Sequence, residues 1–316
     1  MRKVLISAIL TLIPAIAVLG QQKITFMPNW TPQAQFAGYY VAYEKGFYAD
    51  EGLDVTIKNM KPGSTRSVFN YLQYGETDIC SSQLIPAMIE RGNGTKIVNV
   101  LQISQNTGLM LVSRKPMNSF HDMEGMKIGR WKSGYFELAE IFCNDYGINV
   151  NWIPFLQNVN LFISGAVDAT LCYSYSEYLN ILFAKGTIPD SQTLRFSDLG
   201  YNFPEDAVYT TEAYYTKNRA AVEKFIIATK RGWDYAREHK EEALDIVMNY
   251  VKANNVATNR PFQSFMLDEI LRLQVNSETG VADYKKVDEQ TINLLNDALI
   301  ELDYIFNPII YKEFIK

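Results

Sequence analysis

An α/β protein of two lobes, the second inserted into the first and the whole completed by a helical C-terminal region, is what the sequence predicts. Three observations carry that expectation. Short β-rich runs alternate with helical stretches, the rhythm restarts after Arg114, and from about Asn218 onward the pattern turns to long helices alone. The first strand is expected over Ile24 to Met27. Phe36, Tyr39, Tyr40, Tyr43 and Phe47 then recur at helical spacing, and Gly46 and Gly52 lead out to a second strand over Leu53 to Ile57. Pro62-Gly63-Ser64 opens a helix carrying Val68, Phe69 and Leu72, which Gly75 closes before a strand over Thr77 to Ser81. A further strand follows over Ile97 to Ile103. The second unit begins with a strand over Lys127 to Trp131, a turn at Lys132-Ser133-Gly134 and an amphipathic helix through Leu138, Ile141 and Phe142 to Tyr146. It continues to a strand over Val167 to Cys172. Past Asn218, Val222, Phe225, Ile226 and Trp233, then Leu244, Val247 and Val251, mark inward helical stripes. The expected division is residues 1–20 as a leader, 21–110 with 208–316 as the first lobe, and 111–207 as the second.

The leader is read from Arg2 and Lys3 followed by an apolar run from Val4 to Leu19 that Pro14 interrupts. That run is short for a spanning helix, which needs about 20 apolar residues. It ends in small residues, so it reads as a secretory signal cut after Gly20, and no Cys follows to take a lipid. Its removal takes two basic residues and moves the net charge from −5 to −7. Such a balance argues against nucleic-acid binding, which needs clustered basic residues. Cys80, Cys143 and Cys172 are widely spaced within apolar runs, and His121 and His239 are the two histidines. Those numbers support neither a disulfide framework nor a zinc site, so no metal or cofactor is expected.

The segment Asn29-Trp30-Thr31-Pro32-Gln33-Ala34-Gln35-Phe36-Ala37-Gly38-Tyr39-Tyr40-Val41-Ala42, with Glu44-Lys45-Gly46-Phe47-Tyr48 and Glu51-Gly52-Leu53-Asp54-Val55, is distinctive. So are Gly165-Ala166-Val167-Asp168-Ala169, Tyr175-Ser176-Glu177 and Asn202-Phe203-Pro204-Glu205-Asp206. Together they resemble the thiamine-precursor group of ABC-importer substrate-binding proteins, within a superfamily that also includes sulfonate and nitrate binders. The resemblance implies the type 2 periplasmic binding fold, with two lobes joined by crossovers near Leu109 to Lys115 and Asp206 to Thr211. It further implies an extracytoplasmic monomer that closes on a small heterocycle and presents it to an ABC permease with its ATPase. Gln33-Ala34-Gln35 departs from the Asn-rich form of the best-studied pyrimidine binders, which leaves a related heterocycle open.

Chemistry points the same way, because a flat ligand is best held by aromatic faces with a few polar groups at its edge. Trp30 lies just past the first expected strand, where open α/β folds place ligand contacts, although a Trp there also serves to cap a core. Tyr175 and Glu177 occupy the equivalent place in the second lobe. Glu205 and Asp206 offer acceptors to a ring amine, or form a solvated turn after Pro204. The helix starts at Ser64 and Ser133 keep an oxyanion possible. Tyr39 joins Trp30 and Tyr175 among the aromatics that favour a ring amine, although the helical run it belongs to reads as mostly core, and Asn29, Gln35 and Trp131 complete the expected ligand-binding residues.

Eukaryotic relatives of that group synthesise the thiamine pyrimidine from pyridoxal phosphate and a histidine of the protein. Here Leu199-Gly200-Tyr201-Asn202-Phe203-Pro204 stands where they have a cysteine-rich run, and Ser82 to Arg91 holds no histidine. The expectation is therefore a binding protein rather than an enzyme. A sulfonate or nitrate binder and a ligand-sensing adaptor for a membrane kinase are the other readings.

Overall fold

The computed structural model describes residues 21–316 apart from Ser133 and Gln157. The expected signal segment, residues 1–20, and Ser133 lie outside the described residues. Among the described residues, ten strands form two sheets: β1 (Gln22–Met27), β2 (Leu53–Ile57), β3 (Ile79–Gln83), β4 (Ile97–Gln102), β5 (Leu109–Ser113), β6 (Lys127–Trp131), β7 (Asn151–Phe155), β8 (Ala169–Tyr173), β9 (Thr193–Arg195) and β10 (Asp206–Thr211). The first sheet runs β2-β1-β3-β10-β4 and the second β7-β6-β8-β5-β9. The parallel pairs are β1 with β2 and β3, and β6 with β7 and β8. β10 is antiparallel to β3 and β4, and β5 is antiparallel to β8 and β9.

Burial explains the strand patterns. β3, β4, β5 and β8 are buried throughout because both faces of their sheets are covered. β2, at a sheet edge, alternates buried Leu53 and Val55 with exposed Asp54 and Thr56. β7 falls outside the expected runs because Pro154 disguises it. The proline is tolerated there since β7 is an edge strand that pairs with β6 alone.

Several expected boundaries move for local reasons. β3 starts two residues late because the buried Thr77 hydroxyl bonds the carbonyls of Thr25 and Ile79 and turns the chain first. The helix expected from Pro62-Gly63-Ser64 begins only at Val68, where the Ser67 side chain accepts from the Phe69 amide. Gly63, at φ +78°, instead makes a turn in which the Ser64 amide donates to the Lys61 carbonyl. The segments expected as crossovers are the buried strands β5 and β10 themselves. The chain passes between the sheets just before each, through 103–108 and 196–205.

Helices Glu212–Glu238, Lys240–Ala253, Arg260–Leu273 and Glu289–Glu301 make the helical C-terminal region. The first starts at Glu212, and its non-helical residue is Asn218, where the sequence texture changes. Cys80, Cys143 and Cys172 are buried as thiols. Among the described residues no helix is long and apolar enough to cross a membrane.

Candidate functional site

Strand direction assembles the site. The carboxyl ends of the parallel strands β1, β3, β6 and β8 point toward the gap between the sheets, the usual place for ligand contacts in α/β folds. Because β10 and β5 run antiparallel, their beginnings face the same gap: Asp206 pairs with Gln83, and Leu109 with Tyr173. A narrow cleft opens there between the two sheets. Asn29, Trp30 and Gln35 line it from the first lobe, and Trp131, Tyr175 and Glu177 from the second. Six of the sequence-predicted residues are thus brought together.

The aromatic walls are held in place by polar contacts. The Trp131 indole N–H donates to Glu177 Oε1 at 3.3 Å, and the Tyr173 amide donates to Oε2 at 3.2 Å. Glu177, expected to meet a ring amine, therefore also orients a Trp. Burial pushes its carboxyl above the ordinary range. Trp30 meets the Tyr135 ring edge-on at 6.4 Å, and Asn29 Nδ2 donates to the Tyr135 hydroxyl at 3.4 Å, so both contacts span the gap. Tyr135 stands at φ +68°, a left-handed conformation that costs a non-glycine residue about 1–3 kcal/mol and is found where a site needs a particular aim.

Glu205 and Asp206 have other work. Glu205 Oε1 accepts from the Thr107 hydroxyl at 2.5 Å and the Gly108 amide at 2.8 Å, joining the two crossover segments. Asn202 supports the same junction, accepting from the Thr107 amide and donating to Asn106. Glu205 lines a second, smaller cavity together with Glu137, with room for about one water, rather than the aromatic cleft. Asp206 lies behind Gln35, whose amide donates to both its oxygens at 3.0 and 3.1 Å, and Gln33 donates to Gln35 in turn. Asp206 borders neither cavity.

Two further expectations are corrected. Tyr39 is 1% exposed in the core, its ring against Phe26 and Trp233, because it sits on the inward face of helix Ala37–Glu44. Ser64 lies in the turn before a six-residue helix and borders neither cavity. Sequence reasoning passed over Gln33, Gln83, Tyr135, Tyr173, Ser176 and Glu137. Gln83 and Tyr173 each end a strand, and the rule that selects Trp30 applies to both.

Burial pushes the carboxyl of Glu205 up to about 8, despite its hydrogen bonds, and those of Asp206 and Glu137 up to about 7. The sign follows from proton counting. Between the ordinary carboxyl range near pH 4 and those raised values, the folded chain keeps protons that the unfolded chain has released. Stability is therefore expected to fall as pH rises through that window, and Glu205→Gln, which keeps an acceptor for Thr107, is expected to flatten the slope. Thermal melts at about pH 5 and about pH 8.5 check this. A melting temperature that climbs with pH, or an unchanged slope in the variant, would contradict it.

A family model described as NMT1/THI5 like matches residues 33–243. The riboflavin-binding protein RibY of Chloroflexus aurantiacus is 24% identical over 240 residues, 73% of this chain and 67% of its own. A 4-amino-5-hydroxymethyl-2-methylpyrimidine phosphate synthase of Candida albicans is 23% identical, over 71% of this chain and 70% of its own. The formylaminopyrimidine-binding protein of Halalkalibacterium halodurans is 22% identical, over 74% and 72%. Among solved structures, the periplasmic aliphatic sulphonate binding protein SsuA from Escherichia coli superposes with a TM-score of 0.70 over 91% of this chain and 95% of that one. At 15% identity that likeness shows the fold alone, a periplasmic binding protein fold.

Proposed function

Because the chain belongs to the NMT1/THI5-like family, we propose that it is an extracytoplasmic solute-binding protein that captures a thiamine pyrimidine precursor, of the formylaminopyrimidine or hydroxymethylpyrimidine type, for an ABC permease. The observation that carries this reading is the cleft lined by Trp30 from the first lobe and by Trp131, Tyr175 and Glu177 from the second. Indole and phenol rings suit the faces of a flat ring, and a carboxylate suits its amino group. The formylaminopyrimidine-binding relative supports the same ligand class.

On this reading the two sheets, each with its helices, act as two lobes that exchange chain through 103–108 and 196–205, rather than at the expected bounds 110/111 and 207/208, and they hinge at the junction of Thr107, Asn202 and Glu205. Contacts made to the ligand by both lobes at once favour the closed form. The protein then works as a monomer outside the cytoplasm, and the closed form is what the permease reads.

A thermal-shift panel of formylaminopyrimidine, hydroxymethylpyrimidine, thiamine, riboflavin, taurine and nitrate tests it. A ligand at a hundred times its Kd adds about 2.7 kcal/mol to the native state, so a selective rise with one pyrimidine is expected. A rise with taurine or nitrate alone would assign the cleft to oxyanions instead. Turnover of pyridoxal phosphate by the purified protein would make it a synthase, as the Candida albicans relative is named.

A further inference from the structure

We propose that Tyr304 and Glu140 form a latch outside the cleft: the bond between them holds the two lobes together and thereby sets the affinity for the ligand that the cleft takes. The inference rests on the two-lobe binding reading above and adds positioning residues that lie away from the site. Glu140 belongs to helix Glu137–Asp145 of the second lobe, and Tyr304 follows helix Glu289–Glu301 of the first. The Tyr304 hydroxyl donates to Glu140 Oε2. One turn further along the same helix, Asn144 Nδ2 donates to Glu301 Oε1 at 2.9 Å. Glu140, Asn144, Glu301 and Tyr304 border neither cavity.

Each half of the latch is fixed within its own lobe. Helix Glu289–Glu301 ends in a turn in which the Asp303 amide donates to the Ile300 carbonyl at 3.1 Å and the Tyr304 amide to the Leu299 carbonyl at 2.8 Å. Asp303 stands there at φ +57°, a left-handed conformation that helix ends usually give to glycine. Asn93 Nδ2 donates to the Tyr304 carbonyl at 2.9 Å, which ties the turn to the end of helix Leu84–Gly92. In the second lobe the Arg130 guanidinium lies 3.8 Å from Glu140 Oε1 and 3.7 Å over the Phe136 ring. Arg130 thus faces one oxygen of the carboxylate and leaves the other to Tyr304. A hydroxyl that donates to a carboxylate bonds more strongly than it would to a neutral acceptor.

The direction of the effect follows from which contacts coexist. The conformation in which Tyr304 bonds Glu140 is also the one in which Trp30 meets Tyr135, and Gln83 bonds Tyr173 and Tyr175, across the gap. Rotation of one lobe away from the other parts these contacts together, so the latch adds to the closed form and not to the open one. A ligand that needs the closed form binds more weakly in proportion to the fraction of chains that stay closed.

The test is titration calorimetry of the full chain with 4-amino-5-hydroxymethyl-2-methylpyrimidine, formylaminopyrimidine and taurine, together with small-angle X-ray scattering without ligand. Tyr304→Phe keeps the ring and deletes the bond. It is expected to weaken every probe that wild type binds by one common factor, about three- to tenfold, and to widen the unliganded form. Glu140→Gln is expected to do the same by less, and to add nothing to Tyr304→Phe in the double variant. Either the common loss or the wider form upholds the latch, whereas an unchanged affinity with an unchanged radius of gyration overturns it. A loss that differs among the probes also overturns it, since Tyr304 would then act on the cleft walls. So do losses that add in the double variant, since the two side chains would then act apart. A wild type that binds taurine alone, with the same loss and widening in Tyr304→Phe, overturns the pyrimidine reading and upholds the latch.

Discussion

Trp131→Ala is expected to cost the protein both stability and binding, whereas Trp30→Ala is expected to cost binding alone. Trp131 ends β6 at 6% exposure, its ring 5.5 Å from Phe155 and 5.2 Å from Tyr173, and its indole N–H donates to Glu177. Truncation leaves a hole in the second lobe, worth about 3–5 kcal/mol for a buried Trp, and leaves Glu177 short of a donor. Trp30 is half-buried in the loop after β1 and meets the second lobe through the edge of Tyr135. Its loss removes about 1–3 kcal/mol of aromatic cover from a bound ring while the core of each lobe stays filled. Denaturant unfolding of both variants, with calorimetry of the pyrimidine, separates the two roles. Wild-type affinity in Trp30→Ala would take that side chain out of the site, and wild-type stability in Trp131→Ala would mean that the second lobe does not depend on it.

Gly232→Ala is expected to destabilise the first lobe by about 3 kcal/mol, the upper end of overpacking costs. A Cβ at Gly232 would stand 2.1 Å from the Gly38 carbonyl oxygen and 2.7 Å from Ala42 Cβ. The obstacle is backbone, so no rotamer relieves it, and helices Ala37–Glu44 and Glu212–Glu238 must separate. Gly38 is constrained from the other side, since a Cβ there would fall 2.2 Å from the Trp233 ring. In a domain of this size 1 kcal/mol shifts the melting temperature by about 2–4 °C, so a drop of several degrees is the expected reading. A melting temperature within about a degree of wild type would show that the helices have room to move apart.

These glycines bear on what the distinctive segment from Asn29 to Ala42 encodes. Asn29, Trp30, Gln33 and Gln35 border the cleft, whereas Gly38, Tyr39 and Tyr40 serve helix packing, Tyr40 by stacking on Tyr250 at 4.0 Å. One motif thus carries two kinds of constraint. Its sequence marks the family without saying which residues face a ligand. Tyr39 was expected in the site for that reason and belongs to the core.

The α/β rhythm, β2 and β6 to the residue, the helical C-terminal region and six cleft residues were legible in the chain itself. Those features depend on local periodicity and on the rule that strand ends carry ligand contacts, and both act over a few neighbouring residues. Tertiary structure alone decided that Glu205 joins the crossovers, that Asp206 is covered by Gln35 and that Gln83 is bonded to two tyrosines of the second lobe. Each of these is settled by a partner far along the chain: Thr107 for Glu205, Gln35 for Asp206, and Tyr173 and Tyr175 for Gln83. A carboxylate or amide has the same local pattern whether its partner is a ligand, a hinge or a side chain of the other lobe, and only the folding of distant strands into one gap selects among them.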